Sequence, residues 1–306
     1  MSTSTVSGAS GTPRAPGASA AAGGRAPRPA RPHRRKSRLG YNVTGLVCTV
    51  VMAFPVYWLV VSALRPNHEI RSYDQTLWPS SITFDNFARA VRKENFYTAI
   101  QSSLVVSVTA VIGGMIIATL AALAIGRFRF FGRRSLLMVL ILVQMLPPTA
   151  MLIPIYAQLN AMGGLNEYWG LIVVYLVSTL PFAVVMIRGF VVNIPVELEE
   201  SAMVDGCTRM GAFRRVVFPL LAPGLTAASI FALVNAWNEY LFAYILMNDN
   251  DKYTLNVWLM TFTTERGTDY GALMAASTLI ALPVVVFFMI IQGKMAAGLT
   301  SGAVKG

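Results

Sequence analysis

Six long apolar runs, separated by short polar stretches, constrain this chain more than any other feature. They cover approximately residues 42–64, 99–125, 135–157, 168–192, 220–247 and 272–293. At 1.5 Å per residue each is long enough to cross the roughly 30 Å hydrocarbon layer of a bilayer. Inside lipid, only helices and closed barrels satisfy their own backbone polar groups. Barrel strands alternate apolar and polar residues, and a run such as Leu136–Leu146 (LLMVLILVQML) does not alternate. The expectation is an all-α integral membrane fold with six transmembrane helices. It carries a cytosolic two-helix coupling segment, residues 193–219, between the fourth and fifth spans.

Composition agrees. Only 13% of the 306 residues are charged and 55% are hydrophobic, against about 25% charged in soluble domains. Residues 1–38 are Ala, Gly, Pro, Ser, Thr and Arg with little to bury, which predicts a disordered basic tail. Residues 39–306 form the expected transmembrane domain. The first apolar run is too long and begins too late for a cleaved signal peptide, so it reads as an anchor. Of the 25 Lys and Arg residues, 18 fall in the tail, the 126–134 loop, the central segment counted with Arg188 just before it, and the C-terminal end, and 7 in the alternate loops. By the positive-inside rule both termini and the central segment face the cytosol. The net charge of +11 is concentrated in the tail, with no basic, aromatic-flanked patch of the kind that binds nucleic acid. The two cysteines and two histidines give no disulfide framework and no metal spacing.

Several spans contain helix breakers: Pro55, Pro147-Pro148, Pro154, Pro181 and Pro283, with Gly113-Gly114. Proline removes a backbone hydrogen bond and bends a helix, so the spans can line a pathway or simply tolerate kinks. In the 65–98 loop, Phe84, Phe87, Ala90 and Val91 recur at helical spacing and predict a short surface helix. Of 14 acidic residues, Glu239 alone lies within an apolar run, about five residues past its midpoint. A carboxylate there costs about 2.5–3.5 kcal/mol on insertion scales and normally faces a cavity or a partner. With Trp237, Asn238 and Tyr240 beside it, it is a candidate contact for a polyhydroxylated ligand, the other reading being a structural hydrogen bond to a neighbouring helix.

The central segment has helix-start chemistry: Asn193 as N-cap, Pro195 in the first turn, and Glu197, Glu199 and Glu200 complementing the positive end of the helix dipole. Gly206 suits a left-handed termination. Thr208 can cap a second helix that Pro219 ends. The three glutamates argue against a helix lying on anionic headgroups.

Glu200-Ser201-Ala202, then Gly206, then Val216-Val217-Phe218-Pro219 resemble the EAA motif of bacterial ABC-importer permeases. The spacing is kept, with Ser201, Val216 and Phe218 as small or apolar departures. Trp237-Asn238-Glu239-Tyr240 and the closing Gly298–Gly306 stretch are similar to the carbohydrate (MalG-type) branch of the binding-protein-dependent inner-membrane components. The resemblance implies that Glu200, Ser201, Ala202, Asp205, Gly206 and Pro219 couple to a separate ATPase, and that the glycine-rich end reaches towards the ATPase dimer. It implies, as partners, a second homologous permease, two ATPase subunits and an extracytoplasmic sugar-binding protein, besides membrane lipid. The sequence has no G-x-x-x-x-G-K-[ST] phosphate loop. ATP and Mg are therefore expected on the ATPase and no cofactor on this chain, which is a transport subunit and not an enzyme. The implied cargo is a sugar or oligosaccharide. A polyol or sugar phosphate on the same architecture is the alternative, and an ion-coupled secondary transporter is the reading from another class.

Overall fold

The computed structural model describes residues 38–74 and 76–302, with side chains for 40–74 and 76–290. Almost all of the expected tail and the last four residues lie outside this range. By internal contacts the chain divides into Met1–Val50, of which only the start of the first helix is described, and Val51–Gly306. In chain order the helices are α1 (Arg38–Ala63), α2 (Asn67–Ile70), α3 (Asp85–Arg92), α4 (Phe96–Arg127), α5 (Arg133–Gln144), α6 (Pro148–Ala161) and α7 (Tyr168–Asn193). After them come α8 (Glu197–Val204), α9 (Arg209–Ala212), α10 (Phe218–Asn238), α11 (Leu241–Leu246), α12 (Leu255–Trp258) and α13 (Tyr270–Gly302). Among the described residues the regular structure is helical but for a two-stranded antiparallel hairpin, β1 (Thr263–Thr264) with β2 (Gly267–Thr268), registered Thr263 to Thr268. Residues 298–302 of the glycine-rich end continue α13.

Among the described residues, five helical stretches are long and apolar enough to cross a membrane: Gly40–Ala63, Phe96–Arg127, Tyr168–Asn193, Arg209–Asn238 and Tyr270–Ile290. The run expected as one proline-bent span at 135–157 is two helices, α5 and α6, meeting at 100°. The cause is local. A residue preceding proline is pushed out of the helical region, and Pro147 sits extended at φ −66, ψ 130. Pro148 then opens α6, where its missing N–H would have been unpaired anyway. The expected 220–247 span is also broken: α10 ends at Asn238 and α11 restarts at Leu241. Pro55, Pro154, Pro181 and Pro283, by contrast, stay within helices.

The most extensive helix pair is α4 with α7. Its basis is a row of small or slender residues on α4, with Ser102, Val106, Ala110, Gly114, Ala118 and Ala122 buried at every fourth position. Lipid tails are as apolar as leucine, so helices in a bilayer associate by close packing, and small residues let the backbones approach. On α7, Leu171, Val174, Tyr175, Val184, Ile187 and Val191 face inwards. At the far end of the seam a Cβ built on Gly126 would lie 2.5 Å from Val191 Cγ1.

Three apolar clusters follow the bundle. One joins the end of α1, α3, α10, α12 and α13 through Ala63, Ala90, Trp237, Trp258, Ala272 and Ala276. The second joins the middle of α4 to α6, α7 and α11; the third joins the ends of α4 and α7 to the start of α10. The loop helix expected near 84–94 is present as α3, packed against α13. Phe87 and Val91 are partly buried on the cluster, but Phe84, expected on the same face, precedes the helix and is exposed. Asn86 Nδ2 donates to the carbonyls of Ala63 and Arg65, both at 2.7 Å, tying α3 to the end of α1.

Gly126→Ala is expected to destabilise the bundle by about 1–3 kcal/mol, the usual cost of overpacking. Gly189→Ala, whose Cβ meets nothing within 4 Å, serves as the control. Thermal unfolding in detergent checks this: equal transition temperatures for both variants would contradict the close α4–α7 approach.

Candidate functional site

Two polar regions stand out against the apolar bundle, and the helix breaks build the first. Where α10 stops, the chain passes through Glu239 and Tyr240 and leaves backbone groups without helical partners. Neighbours satisfy them. Asn256 Nδ2 donates to Trp237 O at 2.7 Å and Glu239 O at 3.2 Å, and the Tyr175 hydroxyl reaches Glu239 O at 3.5 Å. The Glu239 carboxylate accepts from Phe242 N at 2.8 Å and Ala243 N at 3.1 Å, capping the first turn of α11. The far end of α11 is fixed by Asn166. Its backbone N–H donates to Leu246 O at 2.8 Å, while its side-chain Oδ1 accepts from Asn248 N and Asp249 N at 3.1 and 3.0 Å. Lys252 Nζ donates to Asn166 O at 2.7 Å and Glu167 Oε1 at 3.0 Å, and that Glu167 bond is the chief cause raising the lysine's pKa.

These breaks open a cavity of about 450 Å³ between α5, α6, α7, α10 and α11, within the about 300–1,000 Å³ range of small-molecule sites. Gln144, Leu146 and Pro148 line it from the first break, and Glu239 and Phe242 from the second. Tyr175, Ser178, Phe182, Phe231 and Asn235 complete much of the wall. The rings of Phe182 and Phe231 stack with centroids 3.6 Å apart.

Of the four residues expected on a ligand path, only Glu239 lines this cavity. It is a cap at a helix break and not a charge part-way along a continuous span. Trp237 is buried, its Nε1 donating to Ile280 O at 3.1 Å across to α13. Asn238 is exposed and turns its amide back to Val234 O at 2.8 Å. Tyr240 stacks on Tyr244 with centroids 5.4 Å apart. Sequence reading missed Asn256, which holds the break from 17 residues away, and also Gln144 and Asn235, which carry no motif. The buried-charge signal that singled out Glu239 has no counterpart for neutral amides.

The second region is the segment after α7. Asn193 is the last residue of α7 and not an N-cap; Val196 precedes α8, without a side-chain cap. Gly206 has φ +89, the left-handed turn expected of it. Thr208 Oγ1 accepts from Gly211 N at 3.2 Å, capping α9. Pro219 does not end this helix. The chain runs from α9 through a five-residue π-helical turn, Phe213–Val217, straight into α10, where Pro219 sits in the first turn and costs no hydrogen bond. Glu200, Ser201, Asp205, Gly206 and Pro219 are exposed and Ala202 is half-buried. Around the turn Val204 is 87% and Met210 61% exposed. The segment is anchored by the last residue of α4: Arg127 Nε lies 2.7 Å from Glu199 Oε1, and Arg127 Nη1 donates to Ile194 O at 2.8 Å. Among the described residues no group of His, Cys, Asp and Glu side chains could hold a metal ion.

A multi-pass helical bundle with broken spans around a cavity and a helix–glycine–helix segment between two spans has the architecture of a membrane permease. The comparisons make this specific. Residues 110–300 match the family described as the binding-protein-dependent transport system inner membrane component. The chain is 43% identical over 270 residues to the diacetylchitobiose uptake system permease protein DasC of Streptomyces coelicolor, covering 88% of this chain and 98% of DasC. It is 34% identical over 254 residues to the trehalose transport system permease protein SugB of Mycobacterium tuberculosis, covering 82% and 92% of the two chains. Among solved structures, a bacterial ABC transporter involved in the import of the acidic polysaccharide alginate superposes with a TM-score of 0.73, at 19% identity, over 85% of this chain and 97% of that one. The chain therefore belongs to the binding-protein-dependent transport inner-membrane family. It is an ABC-transporter permease subunit, not an enzyme.

Glu239→Ala removes the acceptor of two amides and is expected to lower stability by about 0.5–2 kcal/mol, as loss of a helix cap does. Glu239→Gln, which keeps one acceptor, is expected to recover part of that. Thermal unfolding of the two variants checks the order; a Gln variant no better than Ala would contradict the capping role.

Proposed function

We propose that this chain is one of two homologous permease subunits of an ATP-driven importer for a sugar or oligosaccharide. Two cytosolic ATPase subunits and an extracytoplasmic sugar-binding protein complete the assembly. The observation that carries this reading is the exposed turn at Gly206, held on the end of α4 by Arg127 and continuous with α10. A surface that projects from the bundle, carries exposed Val204 and Met210, and is fixed to two spans can pass a displacement to both.

The bent pair α5–α6 counts as one span in this reading, so six spans place both termini and the 193–219 segment on the cytosolic side. Glu200, Ser201, Ala202, Asp205 and Gly206 meet the ATPase, and Pro219 begins the span they move. ATP and Mg reside on the ATPase. ATP binding closes the two ATPase subunits, the docked turns follow, and the bent spans exchange inward for outward opening. Coupling requires the docking contact to differ between the two states, since equal affinity for both shifts nothing. The cavity's open side receives the second permease, and the two halves enclose the path. That DasC belongs to a diacetylchitobiose uptake system and SugB to a trehalose transport system supports a carbohydrate cargo.

A side chain at Gly206 in its left-handed conformation costs about 1–2 kcal/mol, which is roughly a tenfold shift in the population of the docked turn. Gly206→Val is therefore expected to insert normally and to lose most sugar uptake per ATP hydrolysed. Paired uptake and ATPase assays in proteoliposomes test it. Wild-type coupling in the variant would contradict the docking role. Uptake persisting without the ATPase would favour an ion-coupled carrier.

A further inference from the structure

We propose that the amides of Gln144 and Asn235, set beside the Phe182–Phe231 stack, read an uncharged, hydroxyl-bearing sugar in this cavity, and that Glu239 turns away its anionic counterparts. This rests on the sugar-importer reading and says which class of sugar the site takes.

The amides are oriented before any ligand arrives. Gln144 Nε2 donates to Leu140 O at 3.2 Å and Asn235 Nδ2 to Phe231 O at 2.9 Å, each the carbonyl four residues earlier. A flipped amide would set oxygen against oxygen, so these bonds decide which end of each side chain is which. Each amide keeps a carbonyl oxygen and a second N–H for the cavity. A sugar hydroxyl, both donor and acceptor, uses both groups. A carboxylate or phosphate, acceptor-only when ionised, uses only the N–H. Ser178 shows the same bias: its hydroxyl proton goes to Val174 O at 2.7 Å, leaving acceptor lone pairs.

Charge points the same way. Among the described residues lining the cavity there is no Lys, Arg or His, and Glu239 is the one carboxylate. Its two oxygens each take one amide N–H, and a carboxylate has further lone pairs beyond two such bonds. With apolar walls around it, the field of that carboxylate is weakly screened and opposes a second negative group. The aromatic pair supplies apolar surface for the C–H face of a sugar ring, as orienting polar groups among aromatic walls do in small-molecule sites.

The test uses the assembled permease–ATPase complex in lipid nanodiscs, with radiolabelled diacetylchitobiose and trehalose as neutral probes and trehalose 6-phosphate as the anionic one. A neutral probe is expected to bind saturably and the phosphate not. Asn235→Leu and Gln144→Leu, each removing one neutral hydrogen-bonding partner, are expected to raise the Kd of the neutral probe about threefold to tenfold. Co-purification with the ATPase establishes that the variants assemble, and Asn235→Arg is expected to admit the phosphate. The proposal is overturned if trehalose 6-phosphate binds the wild type as well as trehalose does, if neither neutral probe binds, or if both Leu variants keep wild-type affinity. ATP-driven sugar uptake by the complete importer alongside any of these results leaves the sugar-importer reading standing. A complete importer that moves a different solute and no sugar removes both.

Discussion

Close packing between α4 and α7 is the contact on which the rest of the molecule depends. Without a hydrophobic force between helices in lipid, the pair is held by dispersion over a seam that small residues make narrow. That seam sets what its ends can do. Near one end Ser103 Oγ accepts from Leu255 N at 2.7 Å, so α12 and the loop before it are placed by α4. At the other end Arg127, one residue beyond Gly126, reaches Ile194 and Glu199 and positions the projecting segment. This pair of long helices thus holds both the cavity wall and the exposed segment around Gly206.

The two broken spans are the complement of that rigidity. Irregular backbone is costly at membrane depth and persists only where protein or a cavity satisfies it. The break at Glu239 meets this condition with side chains from three places: Asn256, Tyr175 and Glu239 itself. The break at Met145–Pro147 needs less, because Pro148 has no N–H to satisfy and α6 begins on it. Both breaks border one cavity, and Pro181, which stays inside α7, lines it as well.

The charged side chains divide by role. Arg127 and Glu199 pair where their side chains are only 12% and 22% exposed, so each depends on the other to avoid an unpaired charge. Lys252 with Glu167, and Arg89 with Asp269, are more open pairs at loop junctions, and pairs of that kind contribute little to stability. Their value is geometric, closing the loops against the ends of the bundle.

Much of this was legible from composition and periodicity: the runs that became α1, α4, α7 and α13, the helix–Gly206–helix turn, Thr208 as a cap, and the family motif. Those features are local, because apolar length, proline placement and left-handed glycine act within a few residues. The misreadings were non-local. Asn193 lost its capping role because α7 continues through it, and Pro219 lost its role as a terminator because helical hydrogen bonds run on through the π-helical turn. Glu239 was conspicuous as a lone carboxylate, but its partners are backbone amides of a helix that exists only because α10 stops there. Gln144 and Asn235 line one cavity from 91 positions apart in sequence, and no local pattern records that they do. An apolar run states that a segment can enter a bilayer; where it bends, and which polar atoms then share a cavity, follows from packing between helices.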